Sequence, residues 1–167
     1  MSRELIKELE GKIDKDRIKI LINKEDKIFK FFVKQCCISK HTSWRAALVL
    51  HHAILKNDDR IKPHLKKIIL SIKGKKDGHK RELLKIAMKM KLTEDEEGCF
   101  FDTCILVWED IKKKPASRYY AGLSIIEMAK KYPDIKNELD YLTSTYYTKT
   151  LSPAIKRIFE RELTKLN

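Results

Sequence analysis

The sequence predicts an all-α fold, a right-handed solenoid of about four stacked helical hairpins. Its 167 residues include only five glycines and four prolines, so few positions interrupt a helix. Apolar residues recur at intervals of three and four, which is the spacing of one face of an α-helix. A basic residue near a helix start recurs at intervals of 35 to 38 residues. A period near 40 with two helices per unit is typical of an α-solenoid.

The N-terminal segment, residues 1–24, is predicted to form two short capping helices. The first covers about 2–10 and ends at Gly11, because glycine readily adopts the backbone conformation that closes a helix. The second covers about 14–23, and Asp14 is placed to accept a hydrogen bond from an unpaired backbone N–H at its start.

The helical repeats are expected over 25–166, within a single domain that covers 1–167. Local signals mark helix starts in this part of the chain. Thr93 and Glu96 stand three residues apart, as in a capping box, and Pro115 suits the first position of a helix because its missing N–H is not needed there. The predicted helices cover 25–37, 43–57, 61–73, 79–91, 94–113, 115–131, 134–147 and 153–166.

Four basic residues near the starts of alternate helices define the repeat: Arg45, Lys80, Arg118 and Lys156. We expect each side chain to reach a carboxylate or a carbonyl in a neighbouring turn and so to fix how one hairpin stacks on the next. A plain helical bundle with similar helix lengths is the alternative architecture.

One of these helix starts, Pro115, Arg118 and Ala121 in a Pro-x-x-Arg-x-x-Ala pattern, resembles the helix start of HEAT repeats. Residues 43–48 are a looser version, and residues 99–166 are similar to small uncharacterised HEAT-like bacterial proteins. The resemblance covers about 25–166. It implies a non-catalytic scaffold or adaptor whose stacked helices bind a protein partner.

The charge of the chain is unevenly distributed. The net charge is +13, yet only eight of the 37 basic residues are arginine, and isoleucine is also abundant at 20. Joint enrichment in lysine and isoleucine is what a compositionally biased genome produces without any ligand. Residues 42–93 nevertheless hold 14 basic and only four acidic residues.

This basic segment predicts one candidate binding surface, the hairpin over 60–91. If its two helices pack antiparallel, their cationic stripes and the loop between them merge, and the surface binds a nucleic-acid backbone without reading its sequence. A solvated lysine-rich face is the alternative interpretation. The candidate residues are Lys62, Lys66, Lys73, Lys75, Lys76, Arg81, Lys85 and Lys89.

HEAT-like folds also include DNA alkylation-repair glycosylases, which hold a damaged nucleotide with Trp, Asp and Arg side chains. The local set here would be Trp108, Asp110 and Arg118, but the residue four after Trp108 is Lys112, where that family has its Asp. Trp108 shares an apolar helix face with its neighbours and is predicted to lie in the core. We therefore predict no catalytic residues, and the sequence has no phosphate-binding loop or dinucleotide motif.

The remaining composition favours a cytoplasmic protein that needs no cofactor, metal or membrane. Four cysteines show no CxxC pair or other metal-ligand spacing, so we expect buried, reduced thiols. No run of 18 apolar residues exists that would suit a membrane span. The N-terminus also alternates charged with apolar positions, unlike the apolar core of a secretory signal. The cysteines are Cys36, Cys37, Cys99 and Cys104.

Overall fold

Helices make up the regular structure of the computed structural model, which describes residues 2–166. The predicted all-α class is confirmed, since no strand occurs in this described range. A short 3-10 helix, Lys62–His64, precedes α5. The α-helices are α1 (Ser2–Glu10), α2 (Lys15–Lys24), α3 (Asp26–Cys37), α4 (Ser43–Ala53), α5 (Leu65–Ser71), α6 (Asp77–Met88), α7 (Glu94–Glu109), α8 (Pro115–Lys131), α9 (Pro133–Leu142), α10 (Thr145–Thr148) and α11 (Pro153–Thr164).

The helices group into two compact units, divided between Cys99 and Phe100 within α7. The first unit contains α1 to α6 and the start of α7. The second unit contains the rest of α7 and α8 to α11. The single-domain organisation of the whole chain stays a prediction.

Helix α4 is central to the first unit, because it packs against α2, α3 and α6, while α5 packs against α3 and α6. Ile61, Leu65, Ile68, Ile69 and Ile72, which helical spacing places on one face, are all buried. Each fully buried side chain of this size stabilises the fold by about 1.5–3 kcal/mol. The largest fully buried apolar side chains of this unit are Phe29, Phe32, Leu9, Ile18, Ile22, Leu50, Ile61, Leu65, Ile68 and Ile69.

The core of the second unit lies where α8 packs against α9 and α11. The rings of Trp108 and Phe159 pack with centroids 5.1 Å apart. Gly122 of α8 makes this approach possible, because a Cβ atom there would lie 2.6 Å from Phe159 Cζ and 2.7 Å from Trp108 Cζ3. The predicted apolar ladder of α8 is buried at Ala121, Ile125, Ile126 and Ala129.

Helix α4 ends earlier than predicted, at Ala53 rather than near Asn57. Ile54 has an extended backbone, and Asn57 adopts a positive φ of 56°, a conformation that asparagine tolerates better than most residues. The backbone N–H of Asn57 donates to the carbonyl of Lys89 at 3.0 Å. This long-range hydrogen bond joins the segment after α4 to the end of α6. No pattern in the neighbouring sequence predicts it.

Two other predicted helices are interrupted. Residues 61–73 begin with 3-10 geometry, in which the N–H of His64 donates to the carbonyl of Ile61 at 2.8 Å, and Pro63 lies in that turn. Residues 134–147 divide into α9 and α10. The hydroxyl of Thr143 donates to the carbonyl of Leu139 at 2.6 Å, and short hydroxyl side chains compete in this way with the continuation of a helix.

Candidate functional site

The predicted cationic residues of the 60–91 hairpin have different surroundings in the structure. Lys62 forms an ion pair with Asp59 at 2.6 Å, and Lys66 forms one with Asp95 at 2.6 Å. Lys89 donates to the carbonyls of His51 at 2.7 Å and Ile54 at 3.1 Å, so it closes the C-terminal end of α4. Burial lowers the pKa of Lys89.

Arg81 and Lys85 both bind Glu82, a residue that the sequence analysis missed. The Glu82 side chain is fully buried and accepts hydrogen bonds from Arg81 Nε at 2.7 Å and Lys85 Nζ at 2.8 Å. Burial alone raises the pKa of Glu82, but these two cations outweigh it and hold the pKa below its ordinary value. The spacing of Leu83, Leu84, Ala87 and Met88 predicts that all four point inward from α6, but Met88 is 37% exposed. The burial of Glu82 could have been predicted from its position four residues before buried Ile86, which places it on the apolar face of α6.

Three of the predicted residues, Lys75, Lys76 and Arg81, line one open cavity of about 650 Å³ in the first unit. We call this cavity the basic groove. It lies between the α3–α4 turn and the α5–α6 turn. Among the described residues that line it, none carries a carboxylate. Its lining consists of Ser39, Lys40, His41 and Trp44 on one side, and Gly74, Lys75, Lys76, Gly78, His79 and Arg81 on the other.

Each turn of the basic groove has a local cause in the sequence. At the first turn, the hydroxyl of Ser43 accepts from the backbone N–H of Lys40 at 3.2 Å, at the start of α4. At the second turn, Gly74 adopts a positive φ of 78°, which costs glycine little. The chain can therefore leave α5 and enter α6 within a few residues.

Two hydrogen-bonded side chains hold the turns together. Lys75 Nζ donates to the carbonyl of Cys37 at 2.9 Å and to the hydroxyl of Ser39 at 2.6 Å. His79 Nε2 lies 2.7 Å from the carbonyl of Cys36, which can only accept, so this nitrogen carries the proton. Burial lowers the pKa of His79, which favours the neutral imidazole. His79 therefore adds no positive charge to the basic groove, which is lined by Lys40, Lys75 and Lys76 and by Arg81, the last paired with Glu82.

Trp44 lies at the edge of the basic groove and is 38% exposed. The Arg45 guanidinium lies 5.5 Å from the centroid of its ring. Arg45 is itself bound to the carbonyls of Leu9 at 2.9 Å and Gly11 at 2.6 Å. The indole thus stands beside a cation that is fixed to the turn after α1.

Sequence reasoning placed Trp44 in the repeat pattern and did not single out Lys40 or His41. The repeat period could have identified both residues. Lys40 and Lys75 are 35 residues apart, and so are His41 and Lys76, which is the shortest of the predicted repeat intervals. Turns one repeat apart are expected to lie side by side in stacked hairpins.

Arg118, one of the two repeat residues in the second unit, is fully buried. Its guanidinium donates to the carbonyl of Trp108 at 2.8 Å, the hydroxyl of Thr150 at 2.7 Å and the carbonyl of Tyr147 at 2.6 Å. Burial lowers the pKa of Arg118. Lys80 and Lys156, the remaining repeat residues, are half-buried.

Trp108, Asp110 and Arg118 form no open cleft. Trp108 is 2% exposed, and its Nε1–H donates to the carbonyl of Leu142 at 2.8 Å. The Arg118 guanidinium lies 4.8 Å from the centroid of the same ring. Both side chains therefore have buried hydrogen-bond partners, and Trp108 lies in the core as predicted.

Metal-binding clusters and membrane-spanning helices are absent from the described range, 2–166. No group of three His, Cys, Asp or Glu side chains there could hold a metal ion. Cys36, Cys37 and Cys104 are buried, Cys99 is half-buried, and none of these four described cysteines forms a disulfide. None of the described helices is long and apolar enough to cross a membrane.

A family model described as a HEAT repeat domain matches residues 4–166, which is nearly the whole chain. No curated protein matches significantly, and no solved structure does.

Proposed function

The chain belongs to the HEAT repeat domain family, and from this premise we propose that it is a non-catalytic scaffold or adaptor that binds a macromolecular partner. The basic groove of the first unit is the proposed contact surface. One observation carries this proposal: two turns, held together by Lys75, line an open cavity with cations and without a carboxylate among the described lining residues.

The cations that line the groove support its role as a binding surface, because they lie close together. Elsewhere in the predicted hairpin, Lys89 is engaged with α4 and Lys66 pairs with Asp95, while Lys73 is exposed and does not line the groove. Lys40 and Lys76, by contrast, are exposed at the groove. Arg81 is already paired with the buried Glu82, so Lys40, Lys75 and Lys76 supply the unpaired positive charge, and an anionic partner gains most where such cations converge.

The repeat arginines support the scaffold part of the proposal. Arg45 and Arg118 donate to backbone carbonyls of other helices or turns, so their charge serves the packing of the helices. We propose the same structural role for Lys80 and Lys156. We further propose that the protein acts in the cytoplasm, since its four described cysteines form no disulfide, as is usual in reducing compartments.

A matched pair of double variants tests the proposed contact surface. Lys40→Glu/Lys76→Glu reverses two exposed charges in the groove, and Lys27→Glu/Lys56→Glu reverses two exposed charges outside it. Tagged native protein and both variants are used to capture partners from native lysate. We expect the groove variant alone to lose the captured partners while its circular dichroism stays unchanged. Equal capture by all three proteins would overturn the proposed contact surface.

A further inference from the structure

We propose that the partner of the basic groove is a single-stranded nucleic acid, bound without sequence preference. Its phosphates contact Lys40, Lys75, Lys76 and Arg81, and one base stacks on Trp44. This inference rests on the proposed function, since it names the chemical class of the partner that the same groove binds.

The cations of the groove keep donors for a phosphate. Lys75 Nζ has three N–H donors, and its two hydrogen bonds to the α3–α4 turn leave one available. The guanidinium of Arg81 has five N–H donors, of which Nε and Nη2 face Glu82 Oε1 at 2.7 Å. Lys40 and Lys76 extend from opposite sides of the groove. Several phosphate oxygens can therefore be bound together.

Trp44 distinguishes a nucleic acid from an acidic peptide. Cations alone satisfy the carboxylates of a peptide, but an exposed indole beside a row of cations also offers a flat surface to a base. Proteins that bind single strands combine these two features, a basic groove and an aromatic platform. The other tryptophan, Trp108, is buried and cannot serve in this way.

The size of the groove favours a single strand over a duplex. A cavity of about 650 Å³ lies within the range of ordinary ligand pockets. It suits an unstacked base with its flanking phosphates, whereas the bases of a duplex are stacked on one another and cannot reach Trp44.

Trp44 also supplies the measurement, because it is the exposed one of only two tryptophans. An oligothymidylate of about ten nucleotides, within the site sizes that single-strand binders cover, is titrated while tryptophan fluorescence is recorded. We expect saturable quenching. Trp44→Ala should weaken binding on the order of ten-fold, measured by anisotropy of a labelled strand, whereas Trp44→Phe should bind within about three-fold of the native protein because it retains an aromatic platform.

The salt dependence tests the phosphate contacts. Lys40→Gln/Lys76→Gln should reduce the slope of log affinity against log salt by about 1.4, since each lost contact to a single strand contributes about 0.7. Lys27→Gln/Lys56→Gln should leave the slope unchanged. Equal slopes for the two variants, or native affinity in Trp44→Ala, would overturn the inference.

Two further ligands separate this inference from the proposed function. If duplex DNA bound as tightly as the single strand, the proposed stacking of a base on Trp44 would be contradicted. Polyglutamate that binds in the groove while oligothymidylate does not would identify an acidic protein segment as the partner. In both cases the groove would remain the contact surface. The proposed function itself would be overturned only if Lys40→Glu/Lys76→Glu captured its partners as well as the native protein does.

Discussion

The Nε–H of Arg118 donates to the backbone carbonyl of Trp108 at 2.8 Å, and both side chains are buried. The same guanidinium reaches the carbonyl of Tyr147 and the hydroxyl of Thr150. One side chain thus joins the end of α7 to α10 and the residues that follow it. Its role in the second unit is to satisfy backbone groups that the helices leave open.

Replacing Arg118 with Met should destabilise the protein by about 2–4 kcal/mol, because it leaves buried carbonyl groups without donors. Arg118→Lys should cost less, since it keeps a charge and some of the donors but loses the planar fork. Urea denaturation measures the change in unfolding free energy. Exposed Arg157 in α11 provides the control, and Arg157→Met should change that free energy by less than about 0.5 kcal/mol. Equal losses at the two positions would refute the structural role.

Gly122 and Gly98 form a second matched pair, because both lie inside helices. Gly122→Ala places a methyl group against Phe159 and Trp108, and overpacking of this kind costs about 1–3 kcal/mol. Gly98→Ala meets nothing within 4 Å and should stabilise α7 by about 0.5–1 kcal/mol. Thermal unfolding should therefore shift the two melting temperatures in opposite directions. A rise in both would contradict the tight contact at Gly122.

Glu82 should make stability fall at acidic pH. Its pKa in the folded protein lies below the ordinary value of 4.5, so its contribution is complete above that value and is lost as the pH falls through the folded pKa. Glu82→Gln should be less stable than the native protein at pH 7 and should lose less stability on acidification. Denaturant titrations between pH 7 and pH 3 compare the two proteins, and parallel curves would exclude Glu82 as a source of the acid sensitivity.

His51 should cause a further loss of stability on acidification, which begins at a higher pH than the loss from Glu82. Burial first, and then Lys85 and Lys89, lower its pKa to about 4, and its Nδ1 is buried without a hydrogen-bond partner. The unfolded chain therefore binds a proton near pH 6.5 that the folded protein accepts only near pH 4. Stability from neutral His51 is present above pH 6.5 and decreases as the pH falls toward 4. His51→Gln should flatten this part of the stability curve, and an unchanged curve would argue against the buried neutral state.

Local signals predicted helix positions well where the determining contacts are close in sequence. Asp14 accepts from the N–H of Arg17 at 3.0 Å, and Thr93 and Glu96 exchange the hydrogen bonds of a capping box. The end of α4 was predicted wrongly because a hydrogen bond to Lys89, 32 residues further along, determines the backbone at Asn57.

The site was only partly predictable for the same reason. Composition identified the basic segment, and three of the cations predicted there line the groove. The opposite wall comes from the preceding hairpin, and only packing shows that Lys40 and Trp44 face Lys76 there. Conversely, the sequence predicts that Lys89 belongs to the cationic surface. In the structure its ammonium group donates to carbonyls at the end of α4.

Retention on heparin, an anionic polymer, tests most directly the central claim that anion binding is localised in the basic groove. Native protein, Lys40→Glu/Lys76→Glu and Lys27→Glu/Lys56→Glu are eluted with the same salt gradient. The two variants have the same net charge, so a difference between them reports position alone. We predict that the groove variant elutes at clearly lower salt than the control variant, which should elute close to the native protein. Elution of both variants at the same salt concentration would contradict the claim.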